Sequence, residues 1–131
     1  MKIDHVNPVD MSPGRAFTQV VKVEGAKKLL FVSGQIGWDA KEQIAGVGDA
    51  SSQARRAFEN IQTAVSAAGG SMDEVVKLTI FLMDVRHMPA VREVRKGFWK
   101  EGKYPACSSV QVGGLAHKDA LLEIEAIAVL S

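Results

Sequence analysis

Two hydrophobic periods trade places along this chain, one extended and one helical. Phe17 to Val23 partly alternates apolar with polar residues and predicts a strand. Gly25 turns the chain, and Leu29-Leu30-Phe31-Val32 is a short apolar strand that ends at Ser33-Gly34-Gln35. Gly37 to Gly48 carries no period and predicts a loop or irregular hairpin. Ala54, Ala57, Phe58, Ile61, Val65 and Ala68 then recur at helical spacing. Asp49, Ser51 or Ser52 caps that helix, and Gly69-Gly70 stops it. Glu74 to Met83 is nearly all apolar and partly β-branched, as in a strand covered on both faces. A second helix is predicted from Arg86 to Lys100, with Met88, Val91, Arg95 and Phe98 on one side and Gly102 at its end. Pro105 to Val112 reads as a strand broken by Gly113-Gly114, and Leu121 to Leu130 as the last strand.

That order predicts one α+β domain spanning residues 1–131, with both helices on one face of a mixed sheet. Apolar residues fall on both faces of several strands, so another subunit is expected to cover the face the helices leave open. The bulk composition is ordinary for a globular domain: 131 residues, 47% hydrophobic and 24% charged. A net charge of +1 gives no general pull toward nucleic acid or an anionic membrane. A single cysteine excludes an internal disulfide and suits a reducing cytosol, so a cytoplasmic location is expected. No apolar run marks a signal peptide at the N-terminus, and none approaches the ~20 residues of a membrane helix.

The residues that carry chemistry are sparse. Gly46-Val47-Gly48 lacks a third glycine and reads as a turn rather than a nucleotide-binding loop. His5, His87 and His117 are far apart, with no metal-ligand spacing. Cys107 is either a buried small hydrophobe, the commoner fate of a lone cysteine, or a nucleophile with His117 as its base. Glu123 and Glu125 share one strand face with Leu121, Ile127 and Val129. Such a carboxylate is paired with a cation from the next strand, solvated at a rim, or employed in catalysis. Arg86, Arg92, Arg95, Lys96, Lys100 and Lys103 make the second helix and its exit basic, which reads as a solvated face. Aromatic interleaving is poor there, which argues against an RNA surface.

Taken together, these segments resemble the RidA (reactive intermediate deaminase, YjgF-like) family. The resemblance rests on Phe31-Val32-Ser33-Gly34-Gln35-Ile36, on Gln53-Ala54-Arg55 through Ala67-Ala68-Gly69, and on Val75 to Leu82 with Asp84. It continues through Pro105-Ala106-Cys107-Ser108 to Glu123-Ile124-Glu125-Ala126-Ile127-Ala128. It implies a chorismate-mutase-like α+β fold, a homotrimer, and ligand clefts between neighbouring subunits. It also implies a cofactor-free deaminase that hydrolyses small enamines or imines to 2-keto acids and ammonia. Glu123 would position the attacking water, and Ser33, Gly34 and Ser108 would line the cleft. An aromatic residue at position 17 would enter from the adjacent subunit. Endoribonuclease or translation-inhibitor activity, attributed to some members, ranks last.

Three positions depart from the family pattern. Cys107 stands where deaminating members have the arginine that grips the substrate carboxylate, and a thiol cannot make those paired charge-assisted bonds. Phe17 replaces a tyrosine, and Arg92 and Arg95 stand where an asparagine and an aromatic are common. Either Arg92 enters the cleft and holds a small anionic metabolite from a new direction, or it faces solvent and the cleft serves a different ligand. In the second case the protein acts on another enamine or only binds a metabolite.

Overall fold

The computed structural model describes all 131 residues, Met1–Ser131. Eight regular elements follow in chain order: β1 (Lys2–Val6), β2 (Val20–Glu24), β3 (Lys28–Gln35), α1 (Ala50–Ala67), β4 (Val75–Leu82), α2 (Met88–Arg95), β5 (Ala106–Gln111) and β6 (Leu122–Leu130). β1 and β2 pair antiparallel as a separate ribbon. The other four strands form a mixed sheet in the order β3-β6-β4-β5. β6 runs antiparallel to both neighbours, and β4 and β5 are parallel, so α2 supplies the crossover that a parallel pair needs.

Alternation along the strands decides which face is core. Leu78, Ile80 and Leu82 of β4 and Leu122, Ile124, Ala126 and Ala128 of β6 are buried in one cluster with Ala54, Ala57, Phe58, Ile61 and Val65 of α1. Full burial of each large apolar side chain contributes about 1.5–3 kcal/mol. The alternate positions, Leu29 and Phe31 of β3 with Phe81, Glu123, Glu125 and Ile127, form the opposite face. Phe31 is 74% exposed and Leu29 60% exposed there, so in a single chain that face is uncovered.

Local chemistry explains where elements begin and end. Asp49 alone of the three candidates caps α1: its carboxylate accepts from Ser51 N at 3.1 Å and Ser52 N at 3.4 Å. Gly69, with φ 88°, turns the chain after the helix. The second helix is shorter than its apolar spacing predicts. A 3₁₀ turn covers Val85–His87, α2 proper starts at Met88, and it ends at Arg95 just before Gly97, a poor helix former. The aromatic pair that follows is pinned to α1: Phe98 lies 5.2 Å and Trp99 5.6 Å from the Phe58 ring, and Trp99 Nε1 donates to Met72 O at 2.8 Å.

The strand predicted from Phe17 starts only at Val20. Ala16 takes a left-handed φ of 59°, and Thr18 N donates to Pro105 O at 3.1 Å, so residues 16–18 belong to a turn docked on the start of β5. β1 has no counterpart in the sequence reading, because Asp4 and His5 interrupt its apolar alternation. The Gly37–Gly48 segment is an irregular hairpin closed by one bridge between Trp38 and Ile44.

Candidate active site in two halves

One group of candidate residues gathers under α2. Met88, Arg92 and Arg95 lie at i, i+4 and i+7, so they share one helix face. Cys107 pairs with the buried Leu78 across the parallel ladder, and Ser109 pairs with Ile80, so both point to the helix side of the sheet. The docked turn adds Arg15 and Phe17. These seven residues line a cavity of about 220 Å³. A wider outer hollow of about 620 Å³ shares Arg15, Phe17 and Arg92 with it.

The turn that carries Arg15 and Phe17 is built for this place. A Cβ on Gly14 would sit 2.2 Å from the Phe17 carbonyl oxygen, so only glycine allows the chain to double back there. Thr18 then locks the turn, its hydroxyl donating to the Tyr104 carbonyl. Phe17 therefore meets Cys107 within its own chain. The resemblance implied an aromatic arriving from a neighbouring subunit; in a single chain Phe17 already lines the cavity that holds Cys107.

The charges in the cavity are unbalanced. Arg95 is only 2% exposed, and no carboxylate lines the cavity. The Nε atoms of Arg92 and Arg95 are both buried without a hydrogen-bond partner. Burial pulls the Arg95 guanidinium below its ordinary pKa, and Arg92 beside it acts in the same direction. The Cys107 sulfur and the Tyr104 hydroxyl work against that shift. The Cys107 thiol faces Arg95 and otherwise has long contacts, 3.8 Å to Ser108 O and 3.9 Å to Ser109 Oγ. Arg92 thus turns inward, and Arg95, read from sequence as part of a basic face, is the most deeply buried cation in the chain. The one sequence signal for this was its place in the apolar series Met88, Val91, Arg95, Phe98.

The second group lies across the sheet. Glu123 pairs in register with Phe81 and points away from the core. It is half-buried and packs on Gly34: a Cβ there would come within 2.7 Å of Glu123 Cδ and 2.8 Å of its Oε1. The β3–β6 ladder slips between Val32 and Gln35, so Ser33 and Gly34 form a bulge beside this carboxylate. Neither Glu123 nor Glu125 joins an ion pair: the four salt bridges are Lys2–Asp4, Lys22–Glu24, Arg86–Asp84 and Lys96–Glu93. Ser108 also faces this side, where it accepts from Lys77 Nζ at 3.1 Å, and Ser109 takes the cavity position instead. Ser33 lines a shallow apolar groove along β3 with Phe31, Ala64 and Ala68. In one chain, then, Phe17, Arg92 and Cys107 come together, and Glu123, Ser33, Gly34 and Ser108 lie on the other side.

Comparison with known proteins adds an independent line. Residues 9–130 match the family described as endoribonuclease L-PSP. A 2-iminobutanoate/2-iminopropanoate deaminase of Dermatophagoides farinae is 34% identical over 94% of this chain and 92% of its own. Among solved structures, YyfB of Yersinia pestis, a conserved Rid-family protein of unknown function, superposes with a TM-score of 0.91 at 26% identity, over 99% of this chain and all of its own. Escherichia coli TdcF with bound serine superposes with a TM-score of 0.72 at 38% identity, over the whole of both chains.

Proposed function

On the premise that this chain belongs to the endoribonuclease L-PSP family, the RidA group that includes named imine deaminases, we propose that it is a cofactor-free hydrolase of a small anionic enamine or imine, acting in a cleft between subunits of a homotrimer. The observation that carries the proposal is the split site. Unpaired guanidinium groups lie under α2, and an unpaired carboxylate, Glu123, lies on the far side of the same sheet. One chain cannot bring them to a single substrate. A second copy, docked on the face where Phe31 and Leu29 are exposed, can set its arginine cavity against this chain's Glu123. Serine bound to TdcF supports a ligand of that size.

The chemistry asks little of the protein. Water adds to the carbon of the protonated C=N group as Glu123 takes its proton, giving a neutral carbinolamine. Glu123 returns that proton to nitrogen, then accepts the hydroxyl proton as the carbonyl forms and the C–N bond breaks, and ammonia leaves behind a keto acid. A positioned carboxylate contributes about 10²–10⁴-fold in such a proton transfer. Arg92 holds the substrate anion in place of the missing motif arginine.

Glu123→Gln is expected to abolish turnover while leaving the trimer intact, measured by keto-acid release and by light scattering. Activity equal to the parent removes Glu123 from the mechanism. Arg92→Ala is expected to weaken binding of small 2-keto acids, and unchanged affinity removes that role.

One observation favours a second reading. With Cys107 in the motif position, the protein binds a metabolite without turning over imines of common amino acids. A coupled assay with such imines separates the two, since robust turnover excludes pure binding. The cations of α2 support neither an RNA surface nor ribonuclease chemistry, because Arg95 is buried and Arg92 turns inward.

A further inference from the structure

Three polar or charged side chains in this chain are buried: Thr18, Gln53 and Arg95. Two of them are satisfied. Thr18 bonds to Tyr104 and Pro105. The Gln53 amide donates to Gly46 O at 3.2 Å and Asp119 O at 3.1 Å and accepts from Leu121 N at 2.8 Å. Arg95 alone is left with its Nε orphaned, and it is the one that carries a charge. Folded proteins rarely leave a buried charge unpaired, because nothing then offsets its lost hydration. A fold that saturates Gln53 so completely gives Arg95 no carboxylate, only the Cys107 sulfur and the Tyr104 ring nearby.

Its neighbourhood adds charge instead of cancelling it. Arg92 brings a second buried, unpartnered Nε into the same cavity, and Arg15 brings a third guanidinium to the mouth. We infer that Arg95 is the anion anchor of this cavity, and that Arg95 and Arg92 together select a ligand bearing two negative charges. This rests on the reading of the cavity as a substrate pocket and names the class of substrate. A single carboxylate would satisfy one guanidinium fork and leave the other buried and bare. Two acid groups, or one dianionic group between the forks, satisfy both. The cavity, at about 220 Å³, admits only a small molecule. Arg92 also lines the outer hollow, so the second charge sits toward the opening and Arg95 holds the deeper one.

Calorimetric titration of the intact protein at constant ionic strength tests this with three probes: 2-oxobutanoate, which has one acid group, 2-oxoglutarate, which has two, and inorganic phosphate. At least one of the doubly charged probes is expected to bind about tenfold or more tightly than 2-oxobutanoate, a difference of about 1.4 kcal/mol. Preference for 2-oxoglutarate assigns a diacid, and preference for phosphate assigns a phosphate ester. Arg95→Met, which keeps bulk without charge, is expected to collapse the preference. Arg95→Lys, which keeps charge but loses the fork, is expected to reduce it, and serves if the Met variant does not fold. Equal affinity for all three probes in the parent, or a preference unchanged in both variants, overturns the inference. The deaminase reading fails separately: it falls if Glu123→Gln retains full turnover, whatever the probes show.

Discussion

Under α2, guanidinium groups sit without carboxylates. Across the sheet at Glu123, a carboxylate sits without a cation. The two places belong to the same sheet and differ in what covers them. The cavity is roofed by a helix and a docked turn, so its charges are dry and its Arg95 is held at an energetic cost. The Glu123 face has no cover within one chain, so its carboxylate rests on a backbone bulge beside exposed Phe31. Neither charge contributes to the folding of a single chain. On the proposed function, each is kept for a partner that the chain does not contain, a ligand on one side and a second copy on the other.

The comparison breaks most completely if the open face is spoiled. Leu29→Lys combined with Phe31→Glu should dissociate the assembly and take turnover to background, while Trp99 stays buried against Phe58. Sedimentation and tryptophan emission read the two effects, and an assembly of unchanged mass would show that this face is not the interface.

A smaller perturbation moves only the carboxylate. Gly34→Ala places a methyl group 2.7 Å from Glu123 Cδ. The displaced carboxylate should lower kcat/KM by about 10²-fold, the loss that a misplacement of roughly 1 Å can cause. Circular dichroism should not change. Parent-level kcat/KM would detach Glu123 from the reaction.

On the cavity side, Cys107→Arg restores the motif residue but adds another guanidinium beside Arg92 and Arg95. It should destabilise the unliganded protein by about 1–3 kcal/mol, the cost of one more buried unpaired group. Adding Arg95→Met should recover most of that loss, a coupling that thermal unfolding of the four variants measures. Additive effects would mean that positions 95 and 107 do not share a site.

The smallest effect comes from a charge that does have its partner. Arg86 donates to both oxygens of Asp84, at 2.9 and 2.6 Å to Oδ2 and 3.1 Å to Oδ1, and holds that carboxyl well down, to about 2 from 3.8. An acid with a lowered folded pKa favours the folded state above its unfolded pKa and loses that contribution as pH falls. The window is therefore between about 3.8 and 2. Acid unfolding of Asp84→Asn should lack this component, and the difference should be slight because Arg86 is exposed and Asp84 is open to solvent on one side. A melting curve with the same pH dependence as the parent would remove the role of this pair.

Much of the fold was legible because burial writes a period into the chain. The α1 series from Ala54 to Val65 and the apolar run of β4 both locate core elements, and Glu123's place opposite the core follows from strand alternation alone. What was not legible depends on tertiary contacts. The docking of residues 14–18 at the start of β5 is made by the backbone N–H and side-chain hydroxyl of Thr18 and by the close approach at Gly14, none of which leaves a hydrophobic period. Arg95 was hidden by its chemical type. An arginine on a helix rich in lysine and arginine reads as solvated, and only its phase, in line with Met88 and Val91, hints otherwise.

The outer edge of β3 has no strand beside it, and its backbone groups from Leu29 to Val32 are free to pair, next to a solvent-facing Phe31. Such an edge is a template for aggregation. Lys28 at its start and the bulge at Ser33–Gly34 leave only a short sticky stretch between them. If neighbouring subunits shield that stretch, only chains that have left the assembly show it, and the fraction of such chains rises on dilution.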